Sequence, residues 1–352
     1  MSTIQGGASL EPNLTDTVEA QNTQDGHDGE SQGRIAYKRF VANRVAVISV
    51  IVFVLVIVLS ISAIGLGPIP GWWRWTYQEL DDQVNQGAPT LSIIPQWLGG
   101  AGVHFGQHPF GQDRIGKDYF ALTMRGIQNS VLVMLVIGLF ATFIGVVVGA
   151  VAGYFRGAVD AILMRITDIF IVIPAIVIGA VVGKTANGLG AWGLALLLGL
   201  VSWMVVARLV RAEFLSLRER EFVEAARVAG ASDGRIIFRH ILPNAIGVII
   251  VAATLLTASA ILLETALSFL GYGIKAPDSS LGLLISQNQS AISTRPYLFW
   301  WPAVFIVLLA LCANFIGDGL RDAFDPRSKR FSLRRTRDAE VTNTSASEQI
   351  SA

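Results

Sequence analysis

Two histidines are the first candidates for chemistry in this sequence. His104 and His108 are four residues apart, the spacing of a possible metal pair. Phe, Gly, Gln and Pro surround them and no third ligand follows at helical spacing, so the pattern favours loop histidines. No Ser/His/Asp set and no carboxylate pair indicates catalysis. We therefore expect that the chain is not an enzyme and holds no metal.

Two glycine-rich segments look like nucleotide-binding motifs. GLGAWG at 188–193 matches the pattern G-x-G-x-x-G, but it opens an apolar helix and no strand precedes it. GAVVGKT at 179–185 resembles a phosphate-binding loop, but it is one residue short between its glycines. We expect neither segment to bind a nucleotide. If the protein uses ATP, a partner must hold the ATP and its Mg²⁺, and this chain binds no cofactor.

The composition is that of a membrane protein. The 352 residues are 52% hydrophobic and the mean hydropathy is +0.54, whereas about 45–50% apolar residues is typical of soluble domains. Several apolar runs reach the length of about 20 residues that a bilayer-spanning helix needs. The net charge of +1 argues against nucleic-acid binding. Cys312 is the single cysteine, which excludes an intrachain disulfide.

Six apolar runs predict six transmembrane helices and an all-α integral membrane protein. Their approximate bounds are 40–64, 127–153, 166–182, 189–206, 241–270 and 297–316. The predicted segments are a disordered tail (1–33), a basic flank with the first helix (34–64), an outer loop (65–126), a five-helix core (127–320), and a basic then disordered tail (321–352). Trp72, Trp73 and Trp75 fit either an aromatic belt at the membrane surface or the core of a small folded loop.

The distribution of lysine and arginine predicts the orientation. With six spans, both termini lie on one side of the membrane. Of the 27 basic residues, 20 fall in segments on that side, including the loop at 208–240, and 7 fall on the other. The positive-inside rule therefore predicts cytoplasmic termini and a cytoplasmic 208–240 loop.

Small and polar residues inside the predicted spans suggest roles in helix packing and in lining a translocation path. Four small residues at four-residue spacing predict a close helix-packing face: Ala141, Gly145, Gly149 and Gly153. Glu264 is an intramembrane carboxyl group. It either faces a water-filled path, where it would meet a charged amine of a cargo, or pairs with a neighbouring subunit. Thr257 and Ser259 are the further candidates for such a path.

The segment 221–244 between two apolar runs has the composition of a docking surface. Glu221, Glu224 and Arg227 fall at helical spacing among alanines. Gly230 and Gly234 are expected to end this helix. A second short helix then leads through Pro243 into the next apolar run. The alternative is a solvated interfacial helix without a partner.

These residues resemble a known family. EAARVAG at 224–230, followed by Leu242 and Pro243, resembles the EAA loop of binding-protein-dependent importer permeases. Three further motifs are similar to the C-type permease subunit of the oligopeptide and dipeptide branch: HPFGQDRIGKD (108–118), LSFLGYG (267–273) and NFIGDGLRDAFDPR (314–327). The resemblance covers residues 34–327. It does not extend to the insertion around 65–105, and His240 stands where the generic pattern has a hydrophobic residue.

The resemblance implies the type I permease fold of ABC importers in the plasma membrane of a prokaryote. It implies as partners, besides the lipid bilayer, a homologous B-type permease, two cytoplasmic ATPase subunits and an extracytoplasmic peptide-binding protein. The 208–240 loop would supply the coupling helix, with Glu224 as polar anchor, Ala225 and Ala226 as the close-contact surface and Gly230 as the turn. The other residues implied in ATPase coupling are Ala231, Ser232, Leu242 and Pro243.

Other functions remain open on the sequence alone. Related permeases that share these loops import nickel or other small solutes. An autonomous channel or an intramembrane enzyme is the alternative from another class. Residues 65–126 are expected to help receive the binding protein, because they are long, aromatic and predicted to lie outside.

Overall fold

Helices make up most of the computed structural model, which describes residues 32–92, 102, 104–185 and 188–324. In chain order they are α1 (Gln32–Ala42), α2 (Arg44–Ile64), α3 (Tyr119–Phe155), α4 (Gly157–Val172), α5 (Ala175–Thr185), α6 (Gly190–Leu200), α7 (Met204–Arg218), α8 (Glu221–Val228), α9 (Asp233–Arg235), a π-helical segment (Ile236–Ile241), α10 (Leu242–Phe269), α11 (Leu281–Asn288) and α12 (Tyr297–Phe324). A two-stranded hairpin, β1 (Gly65–Leu66) with β2 (Ile69–Pro70), follows α2.

Four long helices and two bent helix pairs account for the six predicted spans. The helices α2, α3 and α12, and the continuous stretch Asp233–Phe269, are each long and apolar enough to cross a membrane. The pairs α4–α5 and α6–α7 pass the same test together and are bent by 89° and 43°. Pro174 explains the sharper bend, because the residue before a proline is pushed out of the helical region, and Ile173 has φ −79° and ψ 127°.

Contacts between helices show that each bent pair runs the full length of the bundle. A Cβ on Gly183 in α5 would lie 1.8 Å from the carbonyl oxygen of Tyr272, beyond the end of α10, whereas α4 begins beside the end of α3. The pair α6–α7 runs parallel to α3, because Gly199 of α6 lies beside Phe140, and Gly145, Gly149 and Gly153 then meet Val206, Ala207 and Phe214 in the same order. We call the end of the bundle that carries α8 the α8 end, and the opposite end the Asp118 end.

The first and last described helices meet at the α8 end. Arg39 in α1 donates to the carbonyl oxygen of Ala323 in α12 at 3.5 Å. A Cβ on Gly319 would approach Ala46 at 2.3 Å, and one on Gly247, near the start of α10, would approach Phe324 at 3.2 Å. This arrangement is the one that an even number of crossings requires.

Several helix bounds differ from the predicted ones for local reasons. The helix α3 begins eight residues before the predicted Ile127, because Asp118 accepts a hydrogen bond from the Ala121 amide and caps it. The predicted first helix is broken at Asn43, whose side chain caps α2 through Ala46. The helices α7 and α12 extend to Arg218 and Phe324, beyond the apolar runs. The outer loop therefore ends at Asp118.

The outer segment is a folded structure that packs on the bundle. Trp73 stands 4.8 Å from Phe120 between ring centroids, and Trp75 stacks on His108 at 5.2 Å. Trp72 is 61% exposed. Of the two alternatives for the tryptophans, the folded loop applies to Trp73 and Trp75. The predicted disorder of the tails lies outside the described residues, apart from the start of α1.

Candidate functional site

The helix α8 and its turn form the exposed feature that the sequence singled out. Gly230 has φ +79°, its amide donates to the carbonyl of Arg227 at 3.0 Å, and the Ala231 amide donates to that of Ala226 at 3.0 Å. This pair of bonds is the Schellman motif, in which the residue after the helix takes the left-handed conformation that suits glycine. Gly230 therefore ends α8.

The segment after the turn differs from the predicted short helix. Gly234 lies inside α9 and does not break it. From Asp233 to Phe269 the chain is one helical stretch of 37 residues that includes the apolar span. The second arm of the helix–turn–helix is therefore the end of a transmembrane helix, and a displacement of the turn acts on that helix directly.

Leu242 and Pro243 mark the junction inside this long helix. Proline has no amide hydrogen and interrupts the regular helical bonding. The π-helical turn Ile236–Ile241 comes immediately before it, and Asn244 donates its side-chain amide to the carbonyl of His240 at 2.6 Å. The wider turn accommodates the proline without ending the helix.

One apolar residue anchors α8 to the bundle. Val223 is 0% exposed, and it packs in a cluster with Val210 and Phe214 of α7 and with Ile236 and Ile241. Burying a valine side chain contributes roughly 1.5–3 kcal/mol. The helix is thus held to the bundle from one side only.

The residues predicted to contact an ATPase lie around this apolar contact, on α8, in the turn and in the second arm. Glu224, Ala225, Gly230, Ser232 and Pro243 are exposed. Three others are half-buried: Ala226, Ala231 and Leu242. Alanines 226, 229 and 231 form the floor of a shallow groove whose other wall is basic, with Arg235, Arg239 and His240. A floor of small side chains beside cations is suited to a close-fitting partner with acidic side chains.

The predicted small-residue face of α3 lies against α7. A Cβ on Gly149 would meet the carbonyl oxygen of Ala207 at 2.5 Å, and one on Gly153 would meet the Cβ of Phe214 at 2.7 Å. Gly145 faces Val206 in the same way at 2.7 Å, and Ala141 is fully buried. The two helix backbones approach so closely that side chains larger than hydrogen are excluded at the three glycines.

Ion pairs join α4 to α7 beside this contact. Arg211 donates to both oxygens of Asp160, at 2.5 and 2.6 Å. Arg208 pairs with Asp168, and both of those side chains are nearly half exposed. The carboxylate of Asp168, in α4, is therefore part of a pair within the chain.

Glu264 is enclosed by its own chain. It is 0% exposed, and its two oxygens accept hydrogen bonds from Ser268 at 2.6 Å and from Ser130 of α3 at 2.9 Å. Ser280, at the start of α11, donates to the Ser268 hydroxyl at 3.1 Å. Both oxygens of the carboxyl group thus have partners within the chain, and its predicted contact with a path or a neighbouring subunit stays a prediction. The carboxyl group ties α10 to α3 and α11.

The other two predicted path residues do not join Glu264. Thr257 is packed against α3, since a Cβ on Gly138 would lie 2.0 Å from its hydroxyl oxygen. Ser259 is exposed on the apolar surface and donates to the carbonyl of Leu255 at 2.9 Å. The three side chains therefore do not form one lining in this chain.

The predicted loop histidines lie in different surroundings at the Asp118 end. The His108 ring nitrogen Nδ1 is 2.8 Å from Asp118 Oδ1, and the Trp73 indole donates to Asp118 Oδ2 at 2.8 Å. Burial raises the pKa of Asp118, and these hydrogen bonds oppose that shift. His104 pairs through its backbone with Ser92. Among the described residues, no three His, Cys, Asp or Glu side chains are grouped as metal ligands.

A second carboxylate at this end has a cation partner. Asp278 accepts from Arg125 Nε at 2.7 Å and from Nη2 at 2.9 Å, and Asn129 donates to it at 2.7 Å. Burial alone would raise the pKa of Asp278, but the Arg125 guanidinium outweighs it and holds the pKa below its usual value. This pair fastens the loop before α11 to α3.

Sequence reasoning missed one residue at the α8 end. Tyr154 is 4% exposed, donates to Asp233 Oδ1 at 2.6 Å, and has the Arg218 guanidinium 5.4 Å from its ring centroid. Its only sequence signal is a hydroxyl group at the end of an apolar run. The helix α11 was missed because eight residues with little charge resemble a loop beside the long apolar runs.

Comparison with known proteins identifies the family. Residues 145–330 match the profile of the family described as binding-protein-dependent transport system inner membrane component. Residues 31–89 match the N-terminal transmembrane domain of oligopeptide transport permease C. The fold and the site define a membrane permease subunit.

Two relatives match along nearly their whole length. The oligopeptide transport system permease protein OppC of Mycobacterium tuberculosis (strain ATCC 25618 / H37Rv) is 40% identical over 306 residues, 87% of this chain and 97% of the relative. The protein of the same name from Haemophilus influenzae is 34% identical over 325 residues, 92% of this chain and 97% of the relative. The chain therefore belongs to the family of binding-protein-dependent transport system inner membrane components, the permease subunits of ABC importers.

A solved structure also aligns with part of the chain. It is an inward-facing conformation of the MetNI methionine ABC transporter, with 22% sequence identity and a TM-score of 0.49, and the match covers 58% of this chain and 96% of the other.

Proposed function

We propose that this chain is the C-type, pore-forming subunit of an ATP-driven importer that moves oligopeptides or dipeptides into the cytoplasm. Both relatives described above are named as oligopeptide permeases. The N-terminal match to oligopeptide transport permease C supports the C-type assignment. The termini and α8 are then cytoplasmic, in agreement with the bias of basic residues.

The observation that carries this proposal is the construction of α8. It is anchored on one side by Val223 and continuous, through one turn at Gly230, with the 37-residue helix Asp233–Phe269. The rest of its surface is mostly exposed, and the groove between its last turn and the second arm has the floor of small side chains. An ATPase subunit that binds this surface would move α8, and α8 would move a transmembrane helix. Glu224 serves as the polar anchor, and Ala225 and Ala226 form the contact.

The remaining partners follow from the assembly. Large parts of the spans have exposed apolar faces, and at most 39% of the most apolar window of each long helix is buried within the chain. These faces pack against lipid and against a homologous B-type permease, with which this chain lines the path. Two ATPase subunits bind and hydrolyse ATP, and the path opens alternately to either side. The folded outer segment at the Asp118 end receives the peptide-binding protein.

Two glycine substitutions test the coupling role of α8. Gly230→Ala places a side chain at φ +79°, a conformation that costs roughly 1–2 kcal/mol for other residues. Gly234→Ala is the matched control, because Gly234 lies in a helix with open space around it. In the complete complex in liposomes, we expect Gly230→Ala, and Gly230→Glu more strongly, to lower peptide-dependent ATP hydrolysis and uptake, whereas Gly234→Ala behaves as the natural protein.

The Gly230 position is open, so backbone strain and interference with the partner are the reasons for the effect. Equal activity of the two alanine variants in a fully assembled complex would contradict the proposal. If the natural complex took up metal chelates and not short peptides, the assignment as a permease would stand and the assignment of peptide as the cargo would be wrong.

A further inference from the structure

Tyr154 stands where four helices meet at the α8 end. It is the penultimate residue of α3. Its ring and carbonyl contact Arg218 at the end of α7, and its hydroxyl contacts Asp233 at the start of α9. Arg227, in the last turn of α8, also acts on the hydroxyl. The turn at Gly230 lies between Arg227 and Asp233, so the hydroxyl group is bonded to the second arm of the helix–turn–helix at the point where that arm leaves the turn.

Each contact of Tyr154 has a separate physical role. The carbonyl of Tyr154 belongs to the last turn of α3, where carbonyl groups have no partner within the helix, and the Arg218 guanidinium supplies a donor. The same guanidinium lies over the ring, which fixes the ring orientation. The hydroxyl then donates to a carboxylate at 2.6 Å. A hydrogen bond to a charged acceptor is stronger than one between neutral groups.

The hydrogen bond between Tyr154 and Asp233 determines whether α3 and α9 move together. The helix α3 packs against α7 through Gly149 and Gly153, and it reaches Glu264 through Ser130. The apolar contact of Val223 holds α8 by burial, which is not directional and permits sliding. The bond between Tyr154 and Asp233 is directional, and it is lost if α9 shifts relative to α3 by about an ångström.

We propose that Tyr154 is the positioning residue that passes movement of α8 to α3, in addition to the covalent path through α10. The inference rests on the proposed function, since it assigns a route to the coupling that the function requires. In this role Tyr154 contacts neither ATP nor peptide. It holds α3 and α9 in one register, so that α3 follows when the ATPase subunits displace α8.

Substitution of Tyr154 by Phe tests the proposal with a minimal change. Tyr154→Phe keeps the ring, its burial and its contact with Arg218, and removes only the hydroxyl group. In the complete complex in liposomes, with peptide-loaded binding protein, we expect the number of peptides taken up per ATP hydrolysed to fall about three- to tenfold, within the usual range of coupling between sites. Tyr37→Phe, at a tyrosine 69% exposed on α1, is the matched control and should leave the ratio unchanged.

Variants of Asp233 distinguish a loss of coupling from a loss of folding. Asp233→Asn retains an oxygen that accepts the hydrogen bond, so the ratio should stay within about twofold of the natural value. Asp233→Ala removes the acceptor at an exposed position, where misfolding is not expected, and should lower the ratio as Tyr154→Phe does. The double variant Tyr154→Phe/Asp233→Ala should be no worse than either single variant, because both remove the same bond.

The outcomes distinguish this inference from the proposed function. If the natural complex shows no peptide-dependent uptake, the proposed function fails. If the natural complex is coupled and the Tyr154→Phe and Asp233→Ala complexes retain its ratio of uptake to hydrolysis, the role of Tyr154 is wrong and the function stands. The role would also be contradicted if the double variant lowered the ratio of uptake to hydrolysis by the product of the two single effects. Such a result would show that Tyr154 and Asp233 contribute independently.

Discussion

The two ends of the bundle are held together by different forces. At the Asp118 end, carboxyl groups are buried or partly buried, and each has hydrogen-bond partners from other segments: Asp118 with His108 and Trp73, Glu264 with Ser130, and the partly buried Asp278 with Arg125. At the α8 end, the backbone of α3 lies directly on α7 at three glycines, and the Arg208–Asp168 pair is nearly half exposed.

This difference indicates how each end specifies its structure. Directional hydrogen bonds between buried groups fix a single register, because a displaced donor leaves a buried group without a partner. Close packing fixes the distance between two helices but depends on shape alone. The Asp118 end has its register fixed at several carboxyl groups, whereas the α8 end combines close packing with the directional bond between Tyr154 and Asp233. This contrast is consistent with a rigid outer segment and a more adjustable α8.

The largest effect should follow from filling the glycine contact. Gly149→Val places its first added atom 2.5 Å from the carbonyl oxygen of Ala207, a backbone atom that cannot rotate away. We expect a loss of roughly 3 kcal/mol or more of stability, at the upper end of the usual cost of overpacking. Gly33→Val, at a helical glycine with open space, is the control. Thermal unfolding of the purified complexes measures the difference, and equal midpoints would contradict the close packing.

Removal of the buried cap at the other end should have the next largest effect. Asp118→Ala leaves the Trp73 indole, the Ala121 amide and His108 without their acceptor. An unsatisfied buried donor costs about 1–3 kcal/mol, and part of that is recovered if water enters. Asp82→Ala, at an exposed aspartate, serves for comparison. Should both variants unfold at the same temperature, the buried polar network would not be what fixes this end.

Unfolding temperatures measured at several pH values test whether the charge of Asp278 stabilises the Asp118 end. Since the folded-state pKa is depressed by Arg125, the carboxylate stabilises the protein above its unfolded pKa of about 3.9, and this contribution is lost as the pH falls toward the folded pKa. Asp278→Asn should therefore lower the unfolding temperature at pH 7. The gap between the two proteins should narrow below about pH 4. A constant gap from pH 7 to pH 3 would show that the charge of Asp278 is not involved.

The smallest effects are expected at the ion pairs of the α8 end. Asp160→Asn weakens a bidentate pair with Arg211 in which both side chains are about one-third exposed or less. Asp168→Asn weakens a pair with Arg208 that is nearly half exposed. We expect the first to cost about 1 kcal/mol and the second less than about 0.5 kcal/mol, as for surface pairs. The reverse order, measured by thermal unfolding, would contradict the ranking by exposure.

The sequence was sufficient for the architecture because its signals are local. Apolar runs predict spans whatever their neighbours are, and the four-residue spacing of Gly145, Gly149 and Gly153 predicts a face that structure places against α7. The turn at Gly230 was predictable from glycine after a run of helix-forming residues. Gly234 carried the same signal, and there the prediction was wrong because the transmembrane helix extends through it.

The polar contacts could not be predicted, since their partners are distant in the chain. Ser130 and Glu264 are 134 residues apart, and Arg125 and Asp278 are 153 apart. A single carboxyl group in an apolar run looks the same whether it faces a path or a serine of its own chain. For this reason the sequence left Glu264 open between a path and a neighbouring subunit, and the role of Tyr154 was not recognised.

The helix from Asp233 to Phe269 has a consequence for the size of the movement. Glu264, near one end, is held to α3 by the hydrogen bond of 2.9 Å from Ser130, which tolerates little displacement. Asp233 lies about 46 Å away along a straight helix at 1.5 Å per residue. With Glu264 as the pivot, a tilt of about 5° displaces Asp233 by about 4 Å, most of one helical turn. Small rotations of this helix would therefore correspond to large excursions at α8.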